Sequence, residues 1–313
     1  MTKTAVIVGA GGQDGRIATE YLLGKGYRIL GIDQGMVEAK GLGWERPVDI
    51  KDHEAVTELL EKLRPDEVYY LAAFHHSSED ESISDIELFQ SSYQVHVLSL
   101  LSFLEAIKSV SPETKLFYAA SSLIFGDADT EVQDETIPFS PDSIYGITKL
   151  DGLTLCRYYR KKYDVFASVG ILYNHESEYR SEKFISMKIV QAAIDIKEGK
   201  RSELVVGDLE AEVDWGYARD YIDAMHRILS ADNADDFVIA SGQKHSVKDL
   251  AAEAFSSLGL DWQEYVKEDK QILTRKRKAL VGDFGKLKRV TGWEPATGFA
   301  EMVRLMIDYK SRK

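Results

Sequence analysis

The stretch Thr4-Ala5-Val6-Ile7-Val8-Gly9-Ala10-Gly11-Gly12-Gln13-Asp14-Gly15 decides the fold. Strand-forming residues run straight into a glycine turn, and apolar residues three or four apart follow from Ile17 to Leu23. Gly9, Gly12 and Gly15 stand in a GxxGxxG spacing, one step from the GxGxxG form. Glycines at such a strand-to-helix corner permit a tight turn, bring backbone N–H groups close to a pyrophosphate and let helix and strand touch. The second strand ends on Asp33, whose carboxylate can accept hydrogen bonds from an adenosine ribose and repels a 2′-phosphate. No arginine follows in Asp33-Gln34-Gly35-Met36, so the expected dinucleotide is NAD rather than NADP. The alternative is a glycine turn with no dinucleotide. Asp49 and Ile50, placed after a third strand, are further cofactor candidates at the adenine edge, Asp49 having a surface helix cap as its alternative.

Working outward, strand-like runs recur at residues 28–32, 67–71, 115–119 and 165–172, with helical patterns at 17–23, 54–63, 97–107 and 145–159 between them. Strand and helix alternating in this way imply an α/β, doubly wound parallel sheet of the Rossmann type, covered on both faces. From about Glu176 helical patterns dominate, at 184–196, 217–229, 247–258 and 299–309, with short strands near 204–206 and 237–240. The expected organisation is a dinucleotide-binding domain over 1–175 and a smaller, mainly helical substrate lobe over 176–313, interleaved with the first. Only six prolines occur and no Ser/Gly linker separates the halves.

Composition narrows the function classes. The 313 residues are 44% hydrophobic, within the globular range, and the net charge is −13, from 39 basic and 52 acidic residues. A negative field disfavours a phosphate backbone, so no nucleic-acid partner is expected. Cys156 is the single cysteine, which excludes an intramolecular disulfide and a multi-cysteine metal knot, and no metal is expected. No apolar run approaches the roughly 20 residues a membrane helix needs, and the strand at the start does not resemble a signal peptide. The expectation is a cytoplasmic protein with no membrane partner.

Chemistry enters with Tyr145 and Lys149, a YxxxK pair on one helix face. A phenol titrates near 10, too high for a base at neutral pH. An ammonium one turn away and the positive charge of an oxidised cofactor are expected to favour the phenolate, which then removes an alcohol proton as hydride leaves. Ser121 and Ser122 end the strand that precedes this helix, where a hydroxyl can bond the same substrate oxygen. Capping is the alternative role for either serine.

These residues resemble the extended short-chain dehydrogenase/reductases, and among them the GDP-mannose 4,6-dehydratases. The similarity runs over nearly the whole chain: the glycine loop with Gln13-Asp14-Gly15, Leu71-Ala72-Ala73, Tyr145/Lys149, Gly170-Ile171-Leu172-Tyr173-Asn174-His175-Glu176-Ser177 and Asp214-Trp215-Gly216-Tyr217-Ala218-Arg219-Asp220-Tyr221. The resemblance implies a bound nicotinamide cofactor that oxidises a nucleotide-diphosphate sugar at C4. By position, Tyr145 would be the base, Lys149 its ribose-binding partner and Ser121 the hydroxyl that holds the C4 oxygen. Gly9, Gly12, Gln13, Asp14, Gly15, Leu71, Ala72, Ala73, His175 and Arg180 would line the cofactor, and Ser122 and Asn174 the substrate. Loop-stabilising bonds and a solvated arginine are the alternatives for Asn174, His175 and Arg180.

The pattern breaks in three places. The dehydratases carry a glutamate two positions after the hydroxyl residue to move the C5 proton, and here that position is Leu123. His75 and His76 are the candidates to substitute, with an ordinary role as loop histidines as the alternative. Val213 stands where the family has a diphosphate-binding arginine. Arg275-Lys276-Arg277-Lys278 replaces an arginine-and-glutamate arrangement, so Arg275 and Arg277 are candidates for phosphate contacts or members of a solvated charge cluster. The family's basic segment after strand two is also missing, which speaks against NADP and against a tetramer. The expected activity is therefore NAD-dependent hydride transfer at C4 without dehydration. The alternatives are a true 4,6-dehydratase and a non-catalytic NAD-binding sensor. A homodimer is expected through residues 98–107 and the segment holding Leu150, Leu153 and Leu155, unless these simply cover the parent sheet.

Overall fold

The computed structural model describes residues 2–34, 36–75, 83–269, 271 and 279–312. The chain begins β1 (Thr4–Val8), α1 (Gln13–Gly24), β2 (Arg28–Asp33), β3 (Met36–Lys40), α2 (His53–Leu63) and β4 (Glu67–Tyr70). There follow α3 (Asp85–Tyr93), a π turn (Gln94–Leu98), α4 (Ser99–Val110), β5 (Lys115–Ser121) and a 3-10 turn (Ser122–Ile124). Next come β6 (Val132–Gln133), α5 (Ile144–Tyr163), β7 (Ala167–Leu172), β8 (Asn174–Glu176), α6 (Ile185–Lys197) and β9 (Leu204–Val206). The remainder is β10 (Glu212–Tyr217), α7 (Ala218–Leu229), β11 (Asp236–Ile239), β12 (Lys244–Ser246), α8 (Val247–Ser257), α9 (Trp262–Tyr265), β13 (Val266–Glu268), β14 (Val281–Gly282), α10 (Gly285–Thr291) and α11 (Phe299–Lys310).

Seven strands form one sheet in the order β11-β7-β5-β4-β1-β2-β3, parallel except for the β2–β3 hairpin. Strands β1, β4 and β7 are buried along their whole length, as expected for a sheet covered on both faces. One face packs Val6, Tyr70, Leu116 and Ile171 under α2, α4 and α5, through Leu59, Phe103 and Leu153. The other packs Ala5, Tyr69, Phe117 and Ile239 under α1 and α7, through Ile17 and Ile222, with Trp293 from beyond α10 in the same core. Because β1 lies between β2 and β4, the strand order reverses there, and a crevice opens at the carboxyl ends of these strands.

Local chemistry starts the helices that frame this crevice. Asp52 caps α2 by accepting the Glu54 and Ala55 N–H groups at 2.9 and 3.2 Å, and Ser143 caps α5 by accepting the Gly146 N–H at 3.2 Å. Ser84 and Glu87 form a reciprocal capping box at the start of α3. The third strand differs from expectation. It is the antiparallel hairpin strand β3, which ends at Lys40, and among the described residues no strand runs directly up to Asp49. Left-handed Gln34 (φ 46°) lies in the connection that turns β3 straight back along β2.

A separate core gathers α6, α8 and α11 around Trp215, Met187 and Phe255. Strand β10 pairs with β8 and β12 beneath these helices. Strand β11 joins the large sheet beside β7, and α7 packs on α1, so residues 218–239 lie with the layers of the large sheet. Among the described residues no helix is long and apolar enough to cross a membrane.

Candidate active site

The corner between β1 and α1 is built from backbone. Gly9 adopts φ +92°, and a Cβ there would stand 2.8 Å from the Ala72 nitrogen. A Cβ on Gly15 would stand 2.2 Å from the Gly9 carbonyl oxygen. Only glycine fits either position, and the loop therefore lies directly against Leu71-Ala72-Ala73 at the end of β4. Gly12 precedes α1 without a side-chain cap, leaving the helix N-terminus to present its backbone. Asp33 ends β2 and accepts the Gly11 N–H at 2.6 Å, which holds its carboxylate at the rim of the loop. This donor set fits a dinucleotide: a bare helix N-terminus for the pyrophosphate and a carboxylate for a ribose. Asp49 is exposed and accepts the Lys51 N–H at 3.0 Å in the turn before α2, while neighbouring Ile50 is half-buried on the core.

Gln13 and Asp14 turn the other way. His175 Nε2 lies 3.1 and 3.0 Å from the two Asp14 oxygens, and its Nδ1 lies 2.7 Å from the Tyr173 carbonyl. Both partners are acceptors, so both ring nitrogens donate and the ring is an imidazolium. Burial alone would push His175 down, but the Asp14 carboxylate holds it above its ordinary value. Burial would likewise raise Asp14, and the His175 charge holds it below the usual carboxylate range. Gln13 donates to the His175 carbonyl at 3.0 Å and accepts from Ser177 at 2.9 Å. The first turn of α1 is thereby clamped to β8. Asn174, beside it, is exposed and paired with Trp215 of β10.

On the other side of the crevice, α5 lies against the end of β5. A Cβ on Gly146 would stand 2.6 Å from the Leu123 carbonyl oxygen, so the first turn of α5 rests on the 3-10 turn. Lys149 is buried, and its Nζ donates to the Ala119 carbonyl at 2.7 Å. Ser121, Ser122, Leu123, Tyr145 and Lys149 are thus gathered in one place. The Ser121 hydroxyl oxygen accepts the Leu123 N–H at 3.2 Å, so it does cap the turn. Its own proton stays available, since capping uses only a lone pair.

The electrostatics depart from expectation. Burial, aided by the Asp14 carboxylate, raises the Tyr145 phenol to about 12, with Arg180 pulling weakly the other way. Burial also brings Lys149 down to about 7. Lys149 is not among the groups that shift the phenol. Its ammonium lies 5.6 Å from the Tyr145 ring centroid and is spent on a carbonyl, in a site too dry to favour charge.

Around Tyr145 stand residues with weaker sequence signals. The buried ring of His96, from the π turn, meets it edge-on at 5.2 Å and 81°. His75, exposed at the end of β4, meets it at 6.1 Å and 67° and also contacts Phe184 at 5.0 Å. Arg180 lies over Phe184 at 3.4 Å, with its Nε 3.1 Å from Glu176. Phe184 and Thr148 belong to apolar-periodic helix patterns, and nothing local marks them. Val213 lies in β10 opposite His245. His76, Arg275 and Arg277 fall outside the described residues.

A sheet of this order, a glycine corner at its switch point and a tyrosine–lysine helix across the crevice define a Rossmann-fold protein of the nucleotide-sugar epimerase and dehydratase type. The GDP-mannose 4,6 dehydratase family model matches residues 6–306, and the chain belongs to that family of enzymes. It is 36% identical to GDP-mannose 4,6 dehydratase 2 of Arabidopsis thaliana, covering 98% of this chain and 86% of the relative. In fold it matches dTDP-glucose 4,6-dehydratase of Bacillus anthracis in complex with NAD, at a TM-score of 0.82 and 18% identity over 100% and 97% of the two chains. It also matches UDP-glucose 4-epimerase of Thermotoga maritima with UDP-glucose, at 0.83 and 19% identity over 99% of each.

Proposed function

We propose that this enzyme transfers hydride at C4 of a nucleotide-diphosphate hexose, a GDP-sugar in the first instance, with NAD as cofactor and without eliminating water. The single observation that carries the reading is the convergence of Ser121, Tyr145 and Lys149 beside a leucine at position 123. Gly9, Gly12 and Gly15 would hold the pyrophosphate at the start of α1, and Asp33 the adenosine ribose. Exposed Met36 beyond Asp33 offers no charge to a 2′-phosphate, and the Bacillus anthracis relative in fold was solved with NAD. When bound, the oxidised dinucleotide supplies a positively charged hydride acceptor.

The chain's own residues set up the rest. Ser121 donates to the C4 oxygen. Tyr145 Oη, held protonated near 12 by burial, becomes a base only when positive charge arrives beside it. It then takes the C4 hydroxyl proton as the carbonyl forms. Leu123 has no titratable group with which to remove the C5 proton, so the 4-keto sugar is reduced again or released. The test is incubation with GDP-mannose and related nucleotide sugars, read by mass spectrometry. Products of unchanged mass, or two hydrogens lighter, are expected. Loss of one water overturns the no-dehydration reading. That outcome is the second reading, a 4,6-dehydratase in which His75 moves the second proton, favoured by its exposed ring standing edge-on to Tyr145.

The partner is a second copy of the chain. Leu153 is fully buried in its own core and so leaves the expected interface, whereas Leu98 is 43% exposed. Ile86, Phe89, Ile147 and Tyr158, on the neighbouring helices α3 and α5, are also exposed, Ile86 at 71%. Sedimentation of an Ile86→Arg variant as a monomer supports pairing through these helices, whereas a monomeric wild type refutes it.

A further inference from the structure

We propose that His96 is the positioning residue of Tyr145, a neutral imidazole that fixes the phenol through a one-way hydrogen-bond chain; this rests on the reading of Tyr145 as the base. The π turn at Gln94–Leu98 is where the inference starts. Widening a helix by one residue displaces carbonyl groups from their usual partners, and such turns recur at functional sites. Here the displaced groups are taken up by the sheet below. The Tyr70 hydroxyl donates to the Val95 carbonyl at 2.6 Å, and the Tyr118 hydroxyl donates to the His96 carbonyl at 3.3 Å. A Cβ on Gly152 would stand 2.8 Å from that His96 carbonyl oxygen, so α5 comes as close to the turn as a helix can. The turn is built into the core, and it delivers one side chain, His96, to the inner side of α5.

The partners of His96 settle its tautomer. The Phe74 N–H donates to Nε2 at 3.0 Å, so Nε2 carries no proton. The Thr148 hydroxyl gives its proton to the Ile144 and Tyr145 carbonyls at 3.0 and 3.2 Å. Thr148 Oγ1 is then an acceptor towards His96 Nδ1, 2.8 Å away, and Nδ1 carries the proton. Every link points in one direction, from the exit of β4, through the imidazole, to the peptide units that carry Tyr145. Such chains polarise one another and hold a single geometry. The ring edge against Tyr145 completes the grip.

Neutrality matters to the chemistry. Burial and the nearby Lys149 push His96 down to about 2, so the ring stays uncharged throughout the working range. The groups facing Tyr145 that do carry or change charge are Asp14, Arg180, Lys149 and His75. A cation at position 96 would compete with Lys149 and deform the turn. An uncharged, doubly bonded ring orients the phenol without altering its charge environment.

The test compares His96→Phe, His96→Asn and Thr148→Val with wild type and with Tyr145→Phe. His96→Phe keeps an aromatic edge but breaks both hydrogen bonds. His96→Asn can keep the bond to Thr148, and Thr148→Val removes the acceptor while leaving His96 in place. A shift of about 1 Å in a reacting group costs about 100-fold in rate, so kcat is expected to fall about 100-fold in His96→Phe and about 10-fold in Thr148→Val. His96→Asn should recover part of the loss. The KM for the nucleotide sugar and the dissociation constant for NAD should stay within about threefold of wild type, because neither ligand loses a contact. The basic limb of the kcat–pH profile should stay in place in both His96→Phe and Thr148→Val, because the lost bonds carry no charge to the phenol.

Wild-type kcat in Thr148→Val and His96→Phe overturns the proposal, and so does a displaced basic limb, which would mark an electrostatic role in place of a positioning one. So does a uniform loss of kcat, KM and NAD binding that His96→Asn fails to relieve, since that marks a general structural role. If His96→Phe does not fold, Thr148→Val decides alone by the same criteria. Full activity of Tyr145→Phe instead overturns the reading of the base, which separates the two failures.

Discussion

His96, buried in the π turn, and His175, mostly buried in β8, stand beside the same crevice and carry different charge states. His175 faces two acceptors, the Tyr173 carbonyl and the Asp14 carboxylate, so it keeps both protons. His96 faces one donor and one acceptor, so it keeps one. Desolvation acts on both in the same direction. The Asp14 carboxylate, helped by the Tyr173 carbonyl, reverses it at His175, and that carboxylate also reaches Tyr145 and Lys149. The comparison teaches that a histidine's role in this enzyme is set by what its two nitrogens meet. A charged pair clamps the first turn of α1 to β8, and a neutral ring stands edge-on to Tyr145.

The comparison can be broken most forcefully at the residue between the two regions. Tyr145→Phe removes the proton acceptor and should lower turnover by about 10²–10⁴. Both histidine environments, followed by ¹⁵N NMR, should stay as they are. A variant that still turns over at the wild-type rate would remove the reason for either histidine's placement.

Next in size is His175→Leu. It strands the Asp14 carboxylate, whose side chain is only 20% exposed, and should destabilise the fold by about 3–5 kcal/mol in urea unfolding. His96→Leu strands a backbone N–H but no charge, and should cost less, about 1–3 kcal/mol. Equal losses would mean that the ion pair at His175 is not an ion pair.

The smallest effect is the pH dependence. His175 is raised from 6.5, so its contribution is complete below that value and is lost as pH rises through the raised value. Asp14 is lowered from 3.8, so its contribution is present above that value and is lost as pH falls through the lowered one. The pair therefore stabilises most between about 4 and 6.5. Wild type should lose its advantage over Asp14→Asn above this window, at no more than about 1.4 kcal/mol per pH unit. Parallel stability curves from pH 5 to pH 9 would contradict the assignment. His96, already neutral, should add nothing to the slope.

Much of the fold was legible because its signals are local. The alternation of strand and helix through residue 172, the glycine corner and Asp33 can each be read from a few neighbouring residues. The capping box Ser84-x-x-Glu87 would have found α3 as well. The hairpin strand β3 was not legible, since Met36-Val37-Glu38-Ala39-Lys40 has no turn signal strong enough to announce a reversal. Nor was the membership of β11 in the large sheet, where a strand of four residues, three of them apolar, looks the same in either lobe. Of the site, the positions of Tyr145, Lys149 and Ser121 could be read, but their ionisation could not. Lys149 reads as a charged neighbour until burial and the Ala119 carbonyl are seen.

The sequence alone determined the Rossmann sheet, the glycine corner and the tyrosine–lysine helix, because hydrophobic period and the demand for a missing Cβ are written in adjacent residues. Only the tertiary structure decided which histidine is charged, how dry the phenol is and what stands beside it. Those properties belong to contacts between residues as far apart as Asp14 and His175, or Phe74, His96 and Thr148, and no local pattern encodes a neighbour that distant.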